Sequence, residues 1–290
     1  MPALYRQFTT HAEIDAQYDV DRSVPDFSVY ARHYTEESRL ARHRLRCVLD
    51  VPYGPTRDET LDIFPAADLH APVFVFIHGG YWRILSSKEF SCVALGLVQA
   101  GVTTVVVNYA LAPKVSIDEI SRQARAAVAW VLRRIERHGG DPERVVVGGH
   151  SAGGHLTAMC LQTEWAEEYG LPQDPLRGAV LVSGLYDLQP LRYSCMQPQL
   201  QLDDGVIRRN SPLFQVRRST TPALITWGGA EPDEFRRQSE SYLQAWKDAG
   251  NRAKSWSQPE ANHFTAIYGF EDPRSPLCQW VVQAASLPRG

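Results

Sequence analysis

Hydrophobic residues in this chain fall into two patterns, and the two alternate along its length. Pro72-Val73-Phe74-Val75-Phe76-Ile77 and the stretch from Val102 to Tyr109 are continuous apolar runs, as expected of strands buried on both faces. Between them, Phe90, Val93, Ala94, Leu97 and Val98 recur at helical spacing behind Ser86-x-x-Glu89, a capping box, with Gly101 as the stop. A second pair, Ser116-x-x-Glu119, opens a longer helix with Ile117, Ile120, Ala124, Val128, Val131 and Ile135 on one face. Gly139-Gly140 closes it. Further strands are predicted at 144–148, 178–183, 222–227 and 253–257, with helices at 154–161 and about 233–249. Upstream, Leu45 to Val51 and Thr60 to Phe64 alternate, predicting an antiparallel pair around Tyr53-Gly54-Pro55.

Strands that alternate with helices imply a largely parallel sheet covered on both faces. Two segments stand outside this rhythm. Residues 1–40 are polar, with Tyr, His and Arg interspersed, and predict short helices and loops forming a small cap or arm. Residues 186–219 are irregular, rich in Gln, Arg and Pro, and lie between two core strands where a lid would sit. With no internal repeat, residues 1–290 read as one domain carrying these two additions.

Composition narrows the function classes. The hydrophobic fraction is 44%, enough for a sizeable core, and the formal net charge is -3 with both signs mixed along the chain. No basic stripe points to nucleic acid, and no polybasic segment or long apolar run points to a membrane. Met1 to Arg6 lacks the apolar region of a secretion signal. The five cysteines, Cys47, Cys92, Cys160, Cys195 and Cys278, are odd in number and scattered without metal-ligand spacing. They read as reduced thiols, so a cytoplasmic location is expected. Oligomeric state stays open, a homo-oligomer included.

The candidate chemistry begins at Gly149-His150-Ser151-Ala152-Gly153, between a predicted strand and a predicted helix. Gly-x-Ser-x-Gly in that setting is a nucleophile elbow: a sharp turn exposes the serine oxygen, and the Ala152 N–H points where an oxyanion would form. A serine nucleophile needs a base, and the base an orienting acid. In an α/β-hydrolase sheet these follow in the order nucleophile, acid, histidine. Of the nine histidines only His263 lies beyond the elbow helix. The acid is sought after the strand 223–227, where Glu231 comes first. Asp233, Glu234 and Glu260 are the alternatives, the first two resembling first-turn helix residues. His78-Gly79-Gly80-Tyr81-Trp82-Arg83 follows a buried strand, and its glycine pair lets backbone N–H groups approach a substrate. Gly79, Gly80 and Tyr81 are therefore candidate oxyanion-hole residues alongside Ala152. Tyr81 and Trp82 are candidate pocket residues, and His78 is read as a brace for the loop. His150, at the x position of the motif, is read as structural, and His155, one helical turn past Ser151, is not read as the base. No metal or organic cofactor is expected, because side chains and backbone N–H groups fill every role in acyl transfer.

These motifs, together with Asn108-Tyr109-x-Leu111-Ala112-Pro113 and Glu231-x-x-Glu234-Phe235-x-Arg237-Gln238-Ser239, resemble the kynurenine formamidase (arylformamidase) family over roughly residues 45–270. That family belongs to the hormone-sensitive-lipase-like branch of the α/β-hydrolases. The resemblance implies hydrolysis of N-formyl-kynurenine and of small aryl esters, with Ser151 as nucleophile and His263 as base. The family acid is usually aspartate, and Glu231 stands at the matching position. A general small-acyl carboxylesterase and, more distantly, a non-catalytic binding protein on the same fold are the competing readings.

Overall fold

A computed structural model describes residues 3–287. The two apolar runs become neighbouring parallel strands, β3 (Ala71–Ile77) and β4 (Thr103–Val107), whose residues are almost wholly buried. β1 (Val48–Pro52) and β2 (Thr60–Phe64) precede them. β5 (Gly140–His150), β6 (Gly178–Val182), β7 (Ala223–Gly228) and β8 (Ala253–Gln258) follow. The eight strands form one sheet in the order β1-β2-β4-β3-β5-β6-β7-β8. β1 pairs antiparallel with β2, and β2 antiparallel with β4; every other pairing is parallel. This is the mostly parallel, helix-flanked sheet that the alternating pattern predicts.

Among the described residues, ten α-helices accompany the sheet: α1 (His11–Tyr18), α2 (Phe27–Arg44), α3 (Ala94–Gln99), α4 (Ile117–Arg134), α5 (Ala152–Leu161), α6 (Trp165–Tyr169), α7 (Gln197–Leu200), α8 (Asp204–Arg209), α9 (Asp233–Asp248) and α10 (Pro276–Ala285). Ile117, Ile120, Ala124, Val128 and Val131 of α4 are buried as their spacing predicts. No helix among the described residues is long and apolar enough to cross a membrane.

The helix expected behind Ser86 is a correction. The capping box forms, with Glu89 Oε2 accepting from the Ser86 N–H at 2.9 Å, but it caps only a 3-10 turn over 87–89. A second 3-10 turn covers 91–93, and α-helix is confined to α3. Phe90 breaks the run. Its ring sits among Tyr34, Phe76 and His78, with centroids 5.2, 5.8 and 5.7 Å away, and its backbone leaves the helical region to reach them. The capping box at Ser116 forms only in part. Ser116 Oγ accepts from the Glu119 N–H, but the Glu119 carboxylate is taken by Arg122 and Gln123.

The N-terminal segment is organised around α1, a 3-10 turn at Val20–Ser23 and α2. Ile14, Tyr18 and Tyr34 join the same hydrophobic core as the sheet. The 186–219 stretch folds as 3-10 turns with α7 and α8, burying Leu188, Leu191, Met196, Leu200 and Ile207.

Candidate active site

The functional candidates gather beyond the carboxyl ends of β3, β5, β7 and β8, the edge where open α/β sheets bind ligands. β5 passes into α5 through a single residue, Ser151, with φ 57° and ψ −120°. A serine held there is strained and must be fixed by its surroundings. Its N–H donates to the Val182 carbonyl at 2.9 Å, and its own carbonyl accepts from His155 at 3.0 Å. The flanking glycines are a steric requirement: a Cβ at Gly153 would lie 1.9 Å from the Ile77 carbonyl oxygen.

The loop after β3 reaches the same point. A Cβ on Gly79 would lie 3.2 Å from Ser151 Cβ. Gly80 has φ +107°, and Tyr81, Trp82 and Leu85 also have positive φ, a concentration of strain in one short loop. Arg83 and Ile84 tie it by donating to the Gly80 carbonyl at 3.0 and 3.1 Å. His78 braces its base. The imidazole stacks on Tyr109 with centroids 4.1 Å apart, and Nδ1 donates to the Gly79 carbonyl at 2.6 Å. Burial pushes the His78 pKa down to about 4, so the ring is neutral near pH 7. The N–H groups of Gly80, Tyr81 and Ala152 donate to no acceptor among the described residues, leaving them free for a ligand.

Glu231 and His263 meet below this loop. Glu231 Oε2 accepts from His263 Nδ1 at 3.1 Å, and both side chains are buried. The other oxygen, Oε1, accepts from the Gly228 N–H at 2.7 Å and from Ser183 Oγ. The competing carboxylates lie elsewhere. Asp233 is exposed and pairs with Arg236, Glu234 is tied to Arg237 and to Tyr18, and Glu260 is exposed. His263 packs between His150 and Phe235, with ring centroids 4.6 and 4.4 Å away, and borders the same pocket as Ser151.

Comparison with known proteins fits this geometry. A family profile for the α/β-hydrolase fold matches residues 74–267. The kynurenine formamidase of Danio rerio is 35% identical over 268 residues, covering 88% of this chain and 89% of that protein. The chain belongs to the kynurenine-formamidase-like branch of the α/β-hydrolases. Esterase LipQ of Mycobacterium tuberculosis is 28% identical over 282 residues, covering 84% of this chain and 67% of that protein. Among solved structures, a candidate thioesterase from Silicibacter sp. TM1040 superposes with a TM-score of 0.83 at 29% identity, covering 93% of this chain and 99% of that one. The protein is thus a hydrolase.

The pocket of this hydrolase encloses about 120 Å³. That is room for on the order of ten water-sized groups, the bulk of a small acyl group on one aromatic ring. Much of its wall comes from the N-terminal segment, through Val20, Phe27, Ala31 and Tyr34, faced by Phe90 and Phe264. The 186–219 stretch supplies Met196. Tyr81 borders the cavity as expected, and its hydroxyl donates to the Tyr18 carbonyl at 2.5 Å. Trp82 is a correction: it does not line the pocket. It is fully buried, and its Nε1–H donates to His155 Nδ1 at 3.1 Å. Both residues have a left-handed backbone and their rings meet edge-on at 6.2 Å, yet only Tyr81 reaches the cavity, so adjacency in sequence does not become a shared wall. His155 Nε2 donates in turn to the Asn210 carbonyl at 2.8 Å, and burial lowers its pKa to about 4. His150 does border the pocket. Burial, and then the neighbouring His263, hold its pKa well below the ordinary histidine value.

Two contributors had no sequence signal. Ser183 stands at the end of β6 with φ +50° and donates to Glu231. It follows an ordinary buried strand and belongs to no motif. The other is α2, which grips the His263 loop. Tyr34 Oη donates to the Phe264 carbonyl, Asn262 Nδ2 donates to Tyr30 Oη at 2.8 Å, and Tyr30 stacks on Phe264 at 5.1 Å. No described group of three or more His, Cys, Asp or Glu could hold a metal ion.

Proposed function

We propose that this hydrolase cleaves small acyl amides and esters of aromatic leaving groups, with hydrolysis of N-formyl-kynurenine to kynurenine and formate as its principal reaction. Ser151, His263 and Glu231 act as the triad. The observation that carries this reading is the buried Glu231–His263 hydrogen bond beside the strained Ser151, in a cavity walled by Phe27, Tyr34, Phe90 and Phe264. Ser151 Oγ attacks the formyl carbon as its proton passes to His263 Nε2, and Glu231 stabilises the imidazolium. The developing oxyanion accepts hydrogen bonds from the backbone of the Gly79-Gly80-Tyr81 loop and from Ala152. His263 then protonates the leaving aryl nitrogen. A water, deprotonated by the same imidazole, attacks the formyl-enzyme, and formate leaves as Ser151 recovers its proton. These steps use no metal or organic cofactor.

The 35% identity to a kynurenine formamidase across most of both chains supports the formamide over other acyl substrates. The similarity to Esterase LipQ favours a second reading, a general small-acyl carboxylesterase. We place the protein in the cytoplasm, a reading supported by five unpaired cysteines. Measurement of kcat/KM for N-formyl-kynurenine against p-nitrophenyl acetate and butyrate separates the two readings. A higher value for the formamide is expected. Negligible turnover of the formamide beside efficient ester hydrolysis would leave the carboxylesterase.

A further inference from the structure

The walls around Ser151 are mainly apolar, but the open side of the pocket carries opposite charges that the protein does not pair. Arg83 closes the His78–Arg83 loop and lines the cavity. Its Nε is buried without a hydrogen-bond partner, and no described carboxylate lies within ion-pair distance of its guanidinium. Asp21, from the 3-10 turn at Val20–Ser23, lines the same cavity and makes no hydrogen bond or ion pair to any described residue. Asp21 is exposed at the pocket rim, and Arg83 and His263 both act on its carboxylate across the cavity, so the two unpaired charges share one field. The other carboxylates of the lining are committed. Asp19 pairs with Arg22 at 2.9 Å, and Glu89 accepts from Ser86 at 2.9 and 2.8 Å in the capping box. Exposed Ile84 and Leu85, at 40% and 37%, mark the open side next to Arg83.

An unsatisfied buried donor on a cation is costly, and a guanidinium matches a carboxylate through two parallel hydrogen bonds. An unpaired carboxylate lining the same cavity suits an ammonium. The enclosed space already takes the acyl group and one ring, so a charged substituent on that ring extends toward the open side. A neutral aryl ester would leave both charges unanswered, and a simple anion would satisfy Arg83 while facing Asp21.

We propose that Arg83 and Asp21 form a charge-reading pair for a zwitterionic α-amino-acid substituent on the substrate, with Arg83 taking its carboxylate and Asp21 its ammonium. The proposal rests on the aromatic-leaving-group reading above and assigns to these two residues the selection among such substrates. They are specificity residues and take no part in bond making.

The test uses the full-length protein with Arg83→Gln and Asp21→Asn. Four formamides share one aryl core: N-formyl-kynurenine, its desamino analogue, its decarboxylated analogue, and formanilide. In Arg83→Gln, KM should rise about 10- to 100-fold for the two substrates that carry a carboxylate. kcat should change little, and formanilide and p-nitrophenyl acetate, which carry no carboxylate, should lose at least tenfold less than N-formyl-kynurenine. Asp21→Asn should penalise the two substrates that carry an ammonium and spare, or improve, the desamino analogue. Equal losses across all four substrates would overturn the assignment, as would a normal KM for N-formyl-kynurenine in Arg83→Gln. Calorimetric binding of kynurenine keeps the test independent of turnover. If the wild type proves to be an ester hydrolase only, kynurenine should still bind and lose affinity by the same factor in Arg83→Gln. Equal binding by wild type and variant would refute the subsite even where the triad reading stands.

Discussion

Replacing Glu231 by Gln is the sharpest probe of the site, because the structure fixes how the new amide must sit. Glu231 Oε1 accepts from two donors, the Gly228 N–H and Ser183 Oγ. The Ser183 N–H is itself committed to the Thr226 carbonyl, so neither the strand end nor the loop can turn away freely. In the glutamine variant the carbonyl oxygen stays toward these donors and the NH₂ group faces His263 Nδ1. Nδ1 must then accept rather than donate, which moves the ring proton to Nε2, the nitrogen that receives the Ser151 proton in the proposed mechanism. Loss of the correct tautomer in a buried triad of this type lowers kcat by roughly 10⁴, about 5 kcal/mol of transition-state stabilisation. The fold should be unaffected, because size, burial and the Gly228 and Ser183 contacts are kept. The assay is kcat/KM on p-nitrophenyl acetate and N-formyl-kynurenine, with thermal unfolding of the same preparations. Asp233→Asn is the internal control and should stay within about twofold, since that side chain is 82% exposed and bonded only to Arg236. A loss below tenfold in Glu231→Gln with an intact fold would refute the tautomer argument. A severe loss in Asp233→Asn would transfer the role to that residue.

Ser151→Ala should cut turnover by roughly four to six orders of magnitude, and a sulfonyl fluoride should modify Ser151 alone, as read by peptide mass spectrometry. His263→Ala should cost about as much, and the double variant no more than either single one; additive losses would mean that the two residues do not act together. Tyr34→Phe leaves the Phe264 carbonyl without its donor, so a stability loss of about 1–3 kcal/mol in denaturant melts should accompany a fall in kcat. His78 and His155 have folded pKa values of about 4, below the unfolded value of roughly 6.5. The unfolded chain therefore binds more protons between those values, and stability should fall as pH drops from about 6.5 toward 4. The contribution is of the order of 3 kcal/mol for each ring. Urea melts across that range check this, and His155→Phe should flatten the slope; an unchanged slope would show that His155 does not titrate on unfolding.

What could be read from the sequence follows from what local sterics and chain order determine. The elbow was legible because the turn through Ser151 leaves no room for a Cβ at Gly149 or Gly153, and that requirement is written into five consecutive residues. His263 was legible because it alone of nine histidines follows the elbow helix, and chain order narrowed the acid to Glu231, Asp233, Glu234 and Glu260, of which Glu231 is the one hydrogen-bonded to His263. The break at Phe90 was not legible, because the force that unwinds the helix comes from Tyr34, Phe76 and His78, which lie elsewhere in the chain. Trp82 was misplaced for a related reason: its indole N–H is taken by His155, elsewhere in the chain, while only Tyr81 reaches the cavity. The pattern in residues 1–40 shows that the segment packs against something. It carries no information about which loop it grips.

The clasp between α2 and the His263 loop ties substrate choice to reactivity. The wall positions Phe27 and Ala31 lie far in sequence from Ser151, Glu231 and His263, so new side chains there would reshape the cavity without altering the proposed triad. Yet Tyr30 and Tyr34 on that same helix hold Asn262 and Phe264, the residues on either side of the histidine. Variation in the wall is therefore free only on the surface of α2 that faces the cavity. Changes that shift the helix as a body would strain the hydrogen bonds on either side of the histidine, so drift toward new substrates is channelled into side-chain exchange on the cavity face of α2.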